Sequence, residues 1–143
     1  MIGKYSIECP YDLPDVNQYE INMRHLLEID VLSNLRKGRS VEQLLSKSMY
    51  GDFPTIKFIR IDKEKSGDIS VALFEVYDDG NEEILDIYEF QPIEPDEPDG
   101  IVTVFQSPDE ALFYACNSLG ANINNFVNDG MIQDEYKDSL RAK

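Results

Sequence analysis

Between Ser66 and Tyr136 the chain has no lysine, arginine or histidine, yet it carries seventeen Asp and Glu residues there. Residues 1–65 hold ten acids and ten bases, and the tail from Lys137 adds three bases and one acid. The net charge of −15 therefore belongs to the second half. This argues against a nucleic-acid groove, because phosphate repulsion would grow with every contact. It favours a basic protein partner, a hard cation, or solubility alone.

Other absences narrow the field further. No window approaches the ~18 consecutive apolar residues of a membrane span, so no membrane partner is expected. The start, Met-Ile-Gly-Lys-Tyr-Ser-Ile-Glu, lacks a basic segment followed by an apolar run, so no secretory signal is read and a cytoplasmic location is expected. Two cysteines, Cys9 and Cys116, each sit in an apolar pattern and read as small buried hydrophobes rather than a disulfide. Acidic surroundings oppose a Cys116 thiolate, and the sole histidine, His25, has no second site residue beside it. There is no tryptophan, Gly-rich phosphate loop, HExxH, CxxC or serine elbow. No catalytic residue, metal ligand or cofactor is assigned.

What remains is a chain built to fold. Its 143 residues suit one domain, and 42% hydrophobic with 10% aromatic content exceeds that of a disordered acidic tail. Lys4 to Cys9 alternates as a short strand that Pro10 ends. Asp15 and Gln18 have capping-box spacing. Val16, Tyr19, Met23, Leu26, Leu27, Val31 and Leu35 then follow at helical intervals up to Gly38, although Tyr19, Ile21 and Met23 also alternate. Ser40 and Gln43 repeat the capping spacing, which predicts a second short helix before the break at Tyr50–Pro54.

From Thr55 the texture is β. Strands are predicted over Thr55–Asp62, with a bulge near Phe58 and Ile59, and over Ile69–Tyr77. Asp78-Asp79-Gly80-Asn81 reads as a hairpin turn into a third strand, Glu83–Phe90. Gln91–Gly100 holds three prolines and reads as a loop before a fourth strand, Ile101–Phe105. Ser107-Pro108-Asp109-Glu110 supplies N-cap, first-turn proline and capping box, and Gly120 supplies the stop. Ala111, Leu112, Ala115, Cys116 and Leu119 form its inward stripe. Ile123, Phe126 and Val127 mark a short helix, and Ile132, Tyr136 and Leu140 a last one.

The expected architecture is a single α+β domain over residues 1–143. It has a four-stranded antiparallel β-meander at about residues 55–105, N- and C-terminal helices packed on one face, and room for an extra N-terminal strand. Two carboxylate clusters are the candidate partner-binding residues: Asp78, Asp79, Glu82 and Glu83 at the turn, and Glu94, Asp96, Glu97 and Asp99 in the proline loop. Neither fits an EF-hand, since aligning Gly100 puts Pro95 at the first ligand position and aligning Gly80 puts Tyr77 at the third. The function expected is a non-enzymatic acidic binding protein, an immunity-type inhibitor or nucleic-acid mimic directed at a basic protein. In composition the chain is similar to small acidic α+β proteins that inhibit basic toxins, with no motif behind the likeness. The alternatives are a housekeeping or enzyme-accessory domain whose acidity serves solubility, and a divalent-cation-binding module.

Overall fold

The computed structural model describes residues 24–97 and 99–141. The strand expected at 4–9, Cys9, and most of the helix expected from Val16 lie outside them. In chain order the elements are α1 (Glu28–Arg36), β1 (Val41–Tyr50), β2 (Phe53–Lys63), β3 (Ile69–Tyr77), a single 3₁₀ turn (Ile87–Glu89), β4 (Ile101–Phe105), α2 (Pro108–Ser118), β5 (Val127–Asn128) and α3 (Ile132–Arg141). All strand pairs are antiparallel, and the sheet order is β4-β3-β2-β1-β5. The α+β class and the meander-like sheet are as expected, with five strands in place of four.

Three local expectations are overturned. Residues 41–50 form a strand, not a helix, because β2 pairs with them over their whole length, from Val41↔Ile61 to Tyr50↔Phe53. The two residues read as a capping box serve tertiary contacts instead. Ser40 donates its hydroxyl to Asp62. Gln43 exchanges two hydrogen bonds with the backbone of Asn122, at 2.9 and 2.8 Å. A register shift between Leu44 and Ser46 breaks the alternation, which is why the segment does not read as a strand.

Glu83–Phe90 is not a returning strand. Asn81 Oδ1 accepts from the backbone N–H groups of Glu83 and Ile84, at 2.8 and 3.2 Å, and folds the chain into a tight turn. Asp86 Oδ1 then accepts from the Tyr88 N–H at 3.2 Å and starts the 3₁₀ turn. The outer edge of β3 is meanwhile occupied by β4 and, further along, by Pro92 opposite Val76. The short helix expected at 123–127 is replaced by β5. Phe126 and Val127 are both buried but belong to different core clusters, as neighbours in an extended segment do.

The sheet buries both faces. On one, Val41, Ile59, Ile61, Ile69 and Val71 pack with Val31 and Leu35 of α1 and with Ala111, Leu112 and Ala115 of α2. On the other, Ile56, Phe58 and Val76 pack with Ile87, Phe90, Val127, Ile132 and Tyr136. Helix α3 therefore lies opposite α1 and α2, whereas the apolar stripes alone suggested one shared face. Each such side chain contributes on the order of 1.5–3 kcal/mol by leaving water. Helix α1 is shorter than its periodicity predicts: residues 25–27 are non-helical, and Leu27 and Ile29 are exposed. Helix α2 keeps its predicted cap, with Ser107 Oγ accepting from the Glu110 N–H at 3.2 Å and Pro108 in the first turn.

Candidate functional site

Cations of the first half, with Arg141 of the C-terminal tail, neutralise one group of carboxylates. Arg24 binds Glu135 at 2.8 Å and Asp138 at 2.6 Å, and His25 Nε2 lies 2.9 Å from Glu135. Arg60 reaches Asp129 at 2.7 Å, Arg36 lies 3.7 Å from Asp109, and Arg141 lies 3.3 Å from Glu82. Among the described residues, no ion pair reaches Glu75, Asp78, Asp79, Glu83, Glu94, Asp96, Glu97 or Asp99. These unneutralised carboxylates lie in the stretch from the end of β3 to the start of β4.

Asp78 and Asp79 sit where β3 ends. The Asp78 N–H donates to the Pro54 carbonyl at 2.9 Å, while its carboxylate accepts from the Tyr136 hydroxyl. Burial, followed by that bond to Asp78, pushes the Tyr136 hydroxyl above the ordinary tyrosine range. Asp79 Oδ2 accepts from the Gln91 N–H at 3.2 Å. Gly80 is required by space: an added Cβ would stand 2.4 Å from the Phe90 ring and 2.6 Å from the Tyr136 oxygen. Its φ lies outside the left-handed region that the Asp-Gly turn was expected to need.

Beside these carboxylates is an exposed aromatic cluster. The Tyr77 ring meets Phe53 edge-on at 6.1 Å and Tyr50 edge-on at 6.4 Å. Phe53 is 63% exposed and Tyr50 57%, high values for rings at the end of a sheet. Phe53, Pro54 and Tyr77 line a hollow of about 440 Å³ with Asp78, Asp79 and Gln91. No base is among its lining residues. An aromatic face beside a carboxylate offers a cation two attractions at once.

The proline loop adjoins Tyr50. Ile93 donates its N–H to the Glu75 carbonyl at 3.1 Å, and Ile101 pairs with Leu73, so both ends of the loop are tied to β3. Two internal turns hold it, Glu97 N–H to Glu94 and Gly100 N–H to Glu97. Gly100 has φ 81°, and an added Cβ would stand 2.7 Å from the Leu73 carbonyl oxygen, so no other residue fits there unstrained. Glu94 and Glu97 line a second hollow of about 180 Å³ with Tyr50, Leu73, Glu75 and Ile101. Asp96 and Asp99 are exposed and do not line it. Of the eight sequence candidates, four thus line two hollows that each include a ring of the aromatic cluster. Glu82 is paired with Arg141, and Glu83 stays exposed on the tight turn.

One ionisable cluster escaped the sequence reading. Glu42, fully buried on β1, accepts from Arg60 at 3.0 Å, the Tyr88 hydroxyl at 2.5 Å, and the Gly130 and Ile132 N–H groups at 2.8 and 3.4 Å. Tyr88 also meets the stacked Phe58–Phe74 pair edge-on. Burial first, and the adjacent Glu42 carboxylate second, push the Tyr88 hydroxyl well above its ordinary range. Burial works against the charge of Arg60, but Asp129 and Asp62 more than offset it and hold the guanidinium protonated. With donors on both oxygens, Glu42 is a structural anchor rather than a free base. Its only sequence signal is register: Glu42 faces Arg60 across the ladder, which is visible only once 41–50 is a strand.

Cys116 carries a half-buried thiol that burial and Glu28 push upward, away from thiolate chemistry. Among the described residues no group of three or more His, Cys, Asp or Glu side chains is placed to hold a metal ion. No helix of the described residues is long and apolar enough to cross a membrane. No protein-family model, curated protein or solved structure matches the chain.

Proposed function

We propose that the chain is a non-enzymatic binding protein directed at a basic protein partner, in the manner of an immunity-type inhibitor or a nucleic-acid mimic. The observation that carries this reading is the gathering of unneutralised carboxylates around exposed rings at one end of the sheet. Asp78 and Asp79 adjoin Phe53 and Tyr77, and Glu94 and Glu97 adjoin Tyr50. Charge kept only for solubility needs no such juxtaposition. Exposed aromatics in a rim of one sign combine a desolvated anchor with long-range steering. A lysine or arginine entering the first hollow would meet the Phe53 and Tyr77 rings and the two aspartates together.

The test is calorimetric titration with an arginine-rich peptide at low and at physiological salt. The reading expects binding that weakens with salt and falls about tenfold, or ~1.4 kcal/mol, in D78N/D79N. The control E110Q/D134N removes the same charge elsewhere and should bind as the native chain does. Equal losses in the two double variants would assign the charge to solubility.

A further inference from the structure

Strand β4 ends the sheet, and among the described residues nothing pairs with its outer edge. Natural sheets blunt such an edge with lysine, proline, a bulge or a covering element. Here the edge reads Ile-Val-Thr-Val-Phe, uncharged, with Ile101, Val102 and Val104 each more than half exposed. The prolines of the preceding loop stop short of the strand.

The two sides of this edge differ. Ile101 shares a face with its ladder partner Leu73, over the hollow rimmed by Glu75, Glu94 and Glu97. Val102 and Val104 point to the opposite face, where they line a shallow depression of about 570 Å³ with Ser70, Glu64, Lys65 and Asp68. An added strand would place alternate side chains on these two faces. One set would meet the end of the strand rimmed by Glu75, Glu94 and Glu97, and the other would meet two valines with Glu64, Lys65 and Asp68 at their margin.

We infer that β4 takes up an extended segment of the basic partner by strand addition, a segment alternating basic with apolar residues. The inference rests on the function proposed above and specifies how the partner is held. Backbone hydrogen bonds to this edge would supply affinity, and the two unlike faces would supply register. Charge selects this occupant over a second copy of the chain, which would bring its own Glu75, Glu94 and Glu97 and its net −15 to the same junction.

The probe is an eight-residue peptide alternating lysine and valine, prepared unmethylated and N-methylated on alternate amides in each of the two registers. Fluorescence anisotropy with the full chain should show salt-dependent binding of the unmethylated peptide. One methylated register should bind at least about tenfold more weakly and the other almost unchanged, because only one set of amides faces an edge. V102K/V104K should weaken binding by more than about tenfold, and V102T/V104T, which keeps β-branching, by less. D78N/D79N should keep the register dependence. Equal binding of both registers, or native binding by V102K/V104K, would overturn strand addition while leaving the basic-partner reading intact. No binding of the unmethylated peptide at low salt would remove both. Sedimentation as a dimer that V102K/V104K dissociates would give the edge to a second copy and overturn the inference.

Discussion

The carboxylates before β4 and those after it meet different fates. After β4, Asp109, Asp129, Glu135 and Asp138 each find a cation from the first half of the chain, and among the described residues only Glu110 and Asp134 there have no ion pair. Before it, from Glu75 to Asp99, only Glu82 is paired among the described residues, and its cation is Arg141 of the C-terminal tail. Three of the ten bases of residues 1–65, Arg24, Arg36 and Arg60, thus reach across to the C-terminal elements. The negative charge left over concentrates at the end of the sheet, beside Tyr50, Phe53 and Tyr77. A uniform acidic stretch in sequence folds into one region where charge maintains structure and another where it faces solvent.

Carboxylates that anchor structure and carboxylates that face solvent should therefore differ sharply in what their removal costs. Glu42→Ala should cost the most, about 3–5 kcal/mol in urea unfolding, because it strands the buried contacts of Arg60 and Tyr88. Leu112→Ala, on the helix that carries Asp109, should cost on the order of 2–5 kcal/mol, since Leu112 is buried in the first-face core. A loss near ~0.5 kcal/mol would remove α2 from that core. Glu135→Gln should cost about 1.5–3 kcal/mol through its bonds to Arg24 and His25. At the other extreme, D96K/E97K should change stability by less than about 0.5 kcal/mol, because both residues are exposed. A large drop in melting temperature there would show the loop's charge to be structural.

Alkaline unfolding sharpens the contrast between anchoring and exposed carboxylates. Tyr88 and Tyr136 donate to Glu42 and Asp78, and both hydroxyls are raised above the unfolded value of about 10. Below that pH neither state has lost its proton, so their contribution to stability is complete. As pH rises past about 10, the unfolded chain releases protons that the folded chain retains, and stability falls. Tyr136→Phe should flatten that fall, as read from urea midpoints between pH 8 and 11. An unchanged slope would place the Tyr136 hydroxyl in ordinary solvent.

Much of this was legible in the sequence where local signals and tertiary packing agree. Ser107, Pro108 and Glu110 start α2, Ile132, Tyr136 and Leu140 mark α3, and β2, β3 and β4 lie where their apolar patterns put them. Sequence reading failed where a polar side chain had two suitable partners. Ser40 and Gln43 can cap a helix or brace a strand, and only pairing with β2 decides between them. Asn81 and Asp86 turned an apparent strand into two turns by taking its backbone donors. Of the candidate site, the carboxylates were readable from their density. The aromatic component was not, because Tyr50 and Phe53 meet Tyr77 only after a hairpin that the helical reading of 41–50 had hidden.

The most direct test of the uneven charge needs no partner. Amide-proton relaxation enhancements from a cationic and an anionic nitroxide cosolute of equal size, compared residue by residue, report the local potential near each backbone site. Screening confines that potential to roughly 8 Å at physiological ionic strength, so each amide reports its own surroundings. Strong cation excess is expected at Tyr77–Asp79 and Glu94–Asp99, and near-equal effects around Asp109, Asp129 and Glu135. A cation excess spread evenly over both regions would contradict it.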